Sequence, residues 1–173
     1  MESLIQIASI VLPAGLVIYG MFIIAVSFLK KEKEMKWLDL KTKNTELLLP
    51  MRLQAGERLC LLMERISPNN LVRRINEPGF TAGELHSRLV EEVRNEFNHN
   101  LSQQVYFSDD TWESVRTAVE QTLSLINRSY QQVDGNEKSL ELAKRIFQFA
   151  LEQEKDIIAL ALKRIKDEIR VYY

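Results

Sequence analysis

Between Glu2 and Lys30 the chain carries no charged side chain. Residues 4–29 are apolar around the whole circumference of a helix, and about twenty such residues at 1.5 Å each cross a ~30 Å hydrocarbon core. The run is too long for a signal peptide, has no basic residue before it and no small-residue cleavage pattern after it. A buried helix of a globular protein normally keeps one polar face, and this segment has none. A single membrane-spanning helix is therefore expected at residues 4–29, preceded by a short extracytoplasmic tail at 1–3.

The flanks give the span a direction. Lys30, Lys31, Lys33 and Lys36 follow it, whereas no Lys or Arg precedes it, and short basic flanks stay on the cytoplasmic side. The expected topology is N-terminus outside and C-terminal part inside, in a bacterial inner membrane. Residues 30–49 read as a juxtamembrane helix and connector, with Glu32 and Lys36 at a favourable i,i+4 spacing and the polar run 41–46 as the connector.

Residues 50–173 are long enough for one cytoplasmic domain with its own core, and their pattern predicts an all-α bundle of about four main helices. The first starts at Pro50, suited to a first helical turn. Its five consecutive apolar residues at 59–63 predict burial on more than one side, as the central element of the core. Ser67-Pro68 starts a short helix that ends before Pro78-Gly79. Thr81 with Glu84 forms a capping-box pattern for a helix over 82–99. Ser108 caps a long amphipathic helix, and Asp134-Gly135-Asn136 marks a turn. The remainder, from about Glu137 to Val171, reads as one long final helix. No stretch alternates for long enough to demand a strand.

Charge narrows the function classes. All 23 Lys and Arg residues lie from Lys30 onward, and of the 24 acidic residues only Glu2 precedes the apolar run. The part after the span is formally neutral, which argues against a nucleic-acid partner, since such proteins need a basic face. The one cysteine, Cys60, sits among leucines with no base spaced to activate it, as expected of a buried thiol. Glu96 and His99 match half of a di-iron carboxylate motif. The other histidine, His86, has Gly83 where the second half needs a glutamate, so no metal and no cofactor is expected. Phosphate-binding glycine loops, zinc spacings and nucleophile elbows are missing from the sequence.

Two sets of polar residues stand out. Asn98, His99, Asn100, Ser102, Gln103 and Gln104 form an amide-rich passage, read as either a turn held by side-chain hydrogen bonds or an interaction surface. Arg52, Glu57, Arg58, Glu64, Arg65 and Glu96 form an ion-pair set that either fixes helix register or lines a pocket. The runs 49–55 with 57–59, 64–71 and 96–104 resemble an uncharacterised family of small single-pass membrane proteins from Bacteroidota. The resemblance implies location and architecture and lends no activity. Together these readings favour a non-enzymatic, membrane-anchored adaptor or accessory subunit, whose partners are the lipid bilayer and either another protein or a second copy of itself. The alternative is a membrane-tethered ligand-binding regulator or enzyme with a polar pocket between the helices of 50–66 and 82–99.

Overall fold

The computed structural model describes residues 2–171, with side chains from residue 15 onward except at 40, 41, 44 and 45. Among these residues it contains six α-helices and one 3-10 helix, with a single isolated β-bridge and no strand. The chain divides into two compact units, Met1–Leu48 and Leu49–Tyr173.

Helix α1, Glu2–Ile66, is helical throughout its 65 residues. Residues 41–46, expected as an irregular connector, are helical. The Thr42 hydroxyl donates to Leu38 O at 2.9 Å, and Glu32–Lys36 and Asp39–Lys43 pair at 2.7 and 3.4 Å, each with the acid four residues before the base. Pro50, expected to open a helix, instead sits inside one. An interior proline removes one backbone hydrogen bond and crowds the preceding turn; here it lies beside the boundary between the units. Within the first unit, every large apolar side chain between residues 16 and 29 except Val26 is exposed. Among the described residues no helix is long and apolar enough to cross a membrane. The side chains of 4–14, the first part of the expected span, lie outside the described residues, as do Met1, Tyr172 and Tyr173.

The second unit is a helical bundle. The last part of α1 packs through Ala55, Leu59, Leu62, Met63 and Ile66, all buried at three- and four-residue steps. The run 59–63 is thus not covered on several sides, as its composition suggested: Leu61 is 57% exposed and Cys60 is half-buried. Gly56 allows close approach, since a Cβ there would fall 1.7 Å from Ile169 Cδ1.

Helix α2, Pro68–Ile75, follows Ser67 directly. The chain then turns through Gly79, whose φ of +98° is a backbone conformation that glycine adopts without strain. Helix α3, Ala82–Asn100, opens on a complete capping box: Thr81 Oγ1 accepts from Glu84 N at 3.2 Å, and Thr81 N donates to Glu84 Oε2 at 2.8 Å. The 3-10 helix Leu101–Tyr106 leads to α4, Asp109–Tyr130, capped by Ser108. Helix α4 packs against α3, α5 and α6, and contributes Val115, Ala118, Val119, Leu125 and Ile126 to the core.

The final stretch departs from expectation. It forms two helices, α5, Ser139–Leu151, and α6, Ile157–Arg170. A continuous helix that kept Ile146 and Phe149 inward would turn Gln153 toward the core, because side chains three to four apart share a face. The chain instead breaks, leaves residues 151–156 exposed and restarts with Asp156, whose Oδ1 accepts from Ala159 N at 2.9 Å. The new phase buries Ala161, Ile165 and Ile169. At the other end of α5, Ala82 N donates to Glu137 O at 2.8 Å and Ser139 N to Phe80 O at 3.0 Å, binding the α2–α3 loop to the α4–α5 loop around the Thr81–Lys138 bridge.

Candidate functional site

The charged set on α1 and α3 is only partly assembled by the fold. Arg65 reaches across to α3, where its Nε pairs with Glu96 Oε1 and its Nη2 lies 3.5 Å from Glu92 Oε1. Arg74 of α2 pairs with the same Glu92 oxygen. Arg74's hydrogen bond holds the Glu92 carboxyl below the usual carboxylate range, against an opposing push from burial, with the charges of Arg74 and Arg65 assisting. The result is a half-exposed clamp joining α1, α2 and α3. Such a lattice fixes helix register more than it adds stability, since exposed pairs contribute little each. Neither Glu92 nor Arg74 belongs to the ion-pair set read from the sequence. Their spacing from Arg65 is not local, and one carboxylate among several on α3 gives no sign of having been chosen.

Arg52 belongs to a different node, on α6. Burial pushes the Glu168 carboxyl up, but hydrogen bonds from the Thr111 hydroxyl, the Ser108 hydroxyl and Ser108 N–H, with the charge of Arg52, outweigh it and hold the group below its ordinary value. The Ser108 contacts are 2.8 Å from N to Oε1 and 2.7 Å from Oγ to Oε2. Ser108 therefore both caps α4 and ties it to the end of α6. Glu57, Arg58 and Glu64 are exposed on α1.

The amide-rich passage is a structured turn with an exposed surface. His99 Nδ1 lies 2.9 Å from Asn95 O, a helix-end contact with a last-turn carbonyl. Asn100 Nδ2 donates to Glu96 O at 2.8 Å. Gln103 is buried, with Nε2 donating to Ser102 Oγ at 3.2 Å, while Asn98, His99, Ser102 and Gln104 are exposed beside Leu101 and Val105. Among the described residues no group of His, Cys, Asp and Glu side chains is arranged to hold a metal. Cys60 has the character of an inert thiol: burial pushes its pKa up, against an opposing influence from Lys166.

A concave feature lies elsewhere, where α5 breaks into α6. A cleft of about 700 Å³ opens between that break, the middle of α4 and the α1–α2 junction. Phe147, Ala150, Ile157, Ile158 and Leu162 supply apolar walls and are only partly buried, and Leu151 at the edge is 88% exposed. Thr122, on the α4 wall, donates its hydroxyl to Ala118 O at 2.9 Å, so its polar atom is engaged within its own helix. The mouth carries Glu64, Asn69, Gln121, Gln153 and Asp156, and among the described residues no lysine or arginine lines the cleft. Of the residues singled out from the sequence, only Glu64 belongs to it. The cleft exists because the last helix is broken, which a reading of one continuous helix concealed.

No curated protein and no solved structure matches the chain. Residues 2–172 match a family described as a family of unknown function, DUF7935. The match covers nearly the whole sequence, including the helical bundle and the segment before it, and the chain belongs to that family.

Proposed function

We propose that this protein is a single-pass, membrane-anchored adaptor: residues 4–29 cross the inner membrane of a bacterium once, and the Leu49–Tyr173 unit binds a partner protein or a second copy on the cytoplasmic side. The observation that carries the reading is the exposure of large apolar side chains all around α1 over residues 16–29, ending at a cluster of lysines. Leaving a large apolar side chain in water forgoes about 1.5–3 kcal/mol. A run of them all round one helix forms an apolar surface far beyond the few hundred Å² that soluble monomers present. A bilayer removes that cost, and Lys30, Lys31, Lys33 and Lys36 set the orientation. The exposed face of residues 98–104 is the proposed contact surface.

The test uses the full chain expressed in bacteria. It is expected to stay with the membrane fraction in alkaline carbonate and to leave it only in detergent. A C-terminal fluorescent-protein fusion should be bright and a C-terminal alkaline phosphatase fusion inactive. A photo-crosslinking residue in place of Gln104 should trap a stoichiometric partner or a dimer. Release by carbonate would overturn the anchor, and a protein that crosslinks to nothing would overturn the adaptor.

A further inference from the structure

We propose that the cleft at the α5–α6 break is a binding site for a small amphiphile, with an aliphatic chain against the helix walls and a cationic, hydrogen-bond-donating head at the mouth. The proposal stands on the bundle alone and does not depend on where residues 16–29 reside.

Three observations carry it. The first is size: about 700 Å³ falls within the ~300–1,000 Å³ of typical ligand pockets. The second is the state of the walls. Phe147, Ile157, Ile158 and Leu162 pack against the core on one side yet stay partly exposed toward the cleft, and the neighbouring Thr122 hydroxyl is turned into its own helix. An apolar chain laid there recovers burial that the fold leaves unclaimed, and the walls offer little to a polar ligand. The third is the charge at the mouth, where the lining includes two carboxylates, Glu64 and Asp156, and no cation. Lys155, in the break itself, is not among the lining residues.

Two effects compete for the head group. The N-terminus of α6 carries a partial positive charge, equivalent to roughly half an elementary charge, which alone would attract an anion. Asp156 sits on that terminus as its cap and more than neutralises it, and Glu64, exposed on α1 and lining the cleft, adds a second negative charge. The balance selects a cation, and Gln121 and Gln153 offer amide oxygens to its N–H groups.

The experiment exposes the full-length protein to two photoreactive probes with the same twelve-carbon diazirine chain, one ending in a primary ammonium and one in a carboxylate. Labelled peptides are mapped by mass spectrometry. Mapping separates the cleft from residues 16–29, so failure of this site and failure of the membrane reading are distinguishable. The ammonium probe is expected to label the segments 118–125 and 147–162, to be displaced by excess dodecylamine, and to exceed the carboxylate probe there by about fivefold. Ala150→Trp, which fills the cleft, should abolish that labelling. Because this substitution risks the fold, the pair Glu64→Gln and Asp156→Asn is made as well; it keeps a good N-cap residue and should equalise the two probes. Labelling absent from these segments, not displaced by dodecylamine, or indifferent to head-group charge in the natural protein would overturn the proposal.

Discussion

Glu168 shows how a single carboxylate is made structural. It accepts from both the amide and the hydroxyl of Ser108, groups that otherwise serve the start of α4, and it does so from sixty residues away. Hydrogen bonds to charged groups contribute about 1.5–3 kcal/mol each net, and Gln keeps one amide oxygen as an acceptor. Glu168→Gln is therefore expected to cost about 1–2 kcal/mol at neutral pH, read as a lower urea midpoint with an unchanged slope. The pH dependence has a definite sign. The folded-state pKa values of Glu168 and Glu92 both lie below the ordinary value, so the unfolded chain binds protons more readily. The stability they supply is complete above the unfolded value near pH ~4.3 and is lost as pH falls through the lower folded values. The gap between the natural protein and Glu168→Gln should accordingly narrow below about pH 4.

At the level of elements, the restart of the chain at α6 is marked by one cap. Asp156 caps α6, beyond the end of α5 at Leu151. Asp156→Ala should destabilise the bundle by about 1 kcal/mol, while Asp156→Asn should change it by only a few tenths; thermal unfolding of the two variants side by side checks this. The same comparison explains which elements were legible in the sequence. Thr81 with Glu84 and Ser108 before Asp109-Asp110 are signals written within three or four residues, and both helices begin where those signals place them. Asp156 offered the same kind of signal. It was masked by apolar residues on either side that satisfy a helical spacing locally but belong to two different phases, one ending at Phe149 and one beginning at Ala161. Pro50 misled in the opposite direction, since a residue that suits a helix start is here carried inside a longer helix. Of the clamp, Arg65 and Glu96 stood in one ion-pair set from the sequence and do pair. The part of Arg74 and Glu92, and the cleft itself, were not legible, because each needs three elements to be placed before its residues become neighbours.

Across the whole molecule, exposed large apolar side chains occur in both units, but the buried core lies in one of them. The buried hydrophobic residues run from Ala55 to Ile169 among the described residues, all within the Leu49–Tyr173 unit. A fragment comprising that unit is expected to express as a soluble helical protein with one cooperative unfolding transition, measured by circular dichroism in urea. A fragment that remained non-cooperative would show that the preceding residues are needed to complete the core. On the proposed reading, residues 2–48 would then contribute location rather than core.

The two loops bound around Thr81 and Lys138 have a consequence in exchange kinetics. The amides of Ala82, Gly83 and Ser139 donate to Glu137 O, Gly135 O and Phe80 O, so each is held by the loop or helix start on the far side of α3 and α4. None of them can meet solvent by fraying of its own helix alone. Their hydrogens should exchange together, at a rate set by a shared opening event rather than by local helix ends. Native-state hydrogen exchange should find Gly83 and Ser139 with matching protection, well above that of the amides at 153–155 in the exposed break. Residues separated by more than fifty positions would thus act as one latch, and the closure of the α3–α4 hairpin would be timed by it.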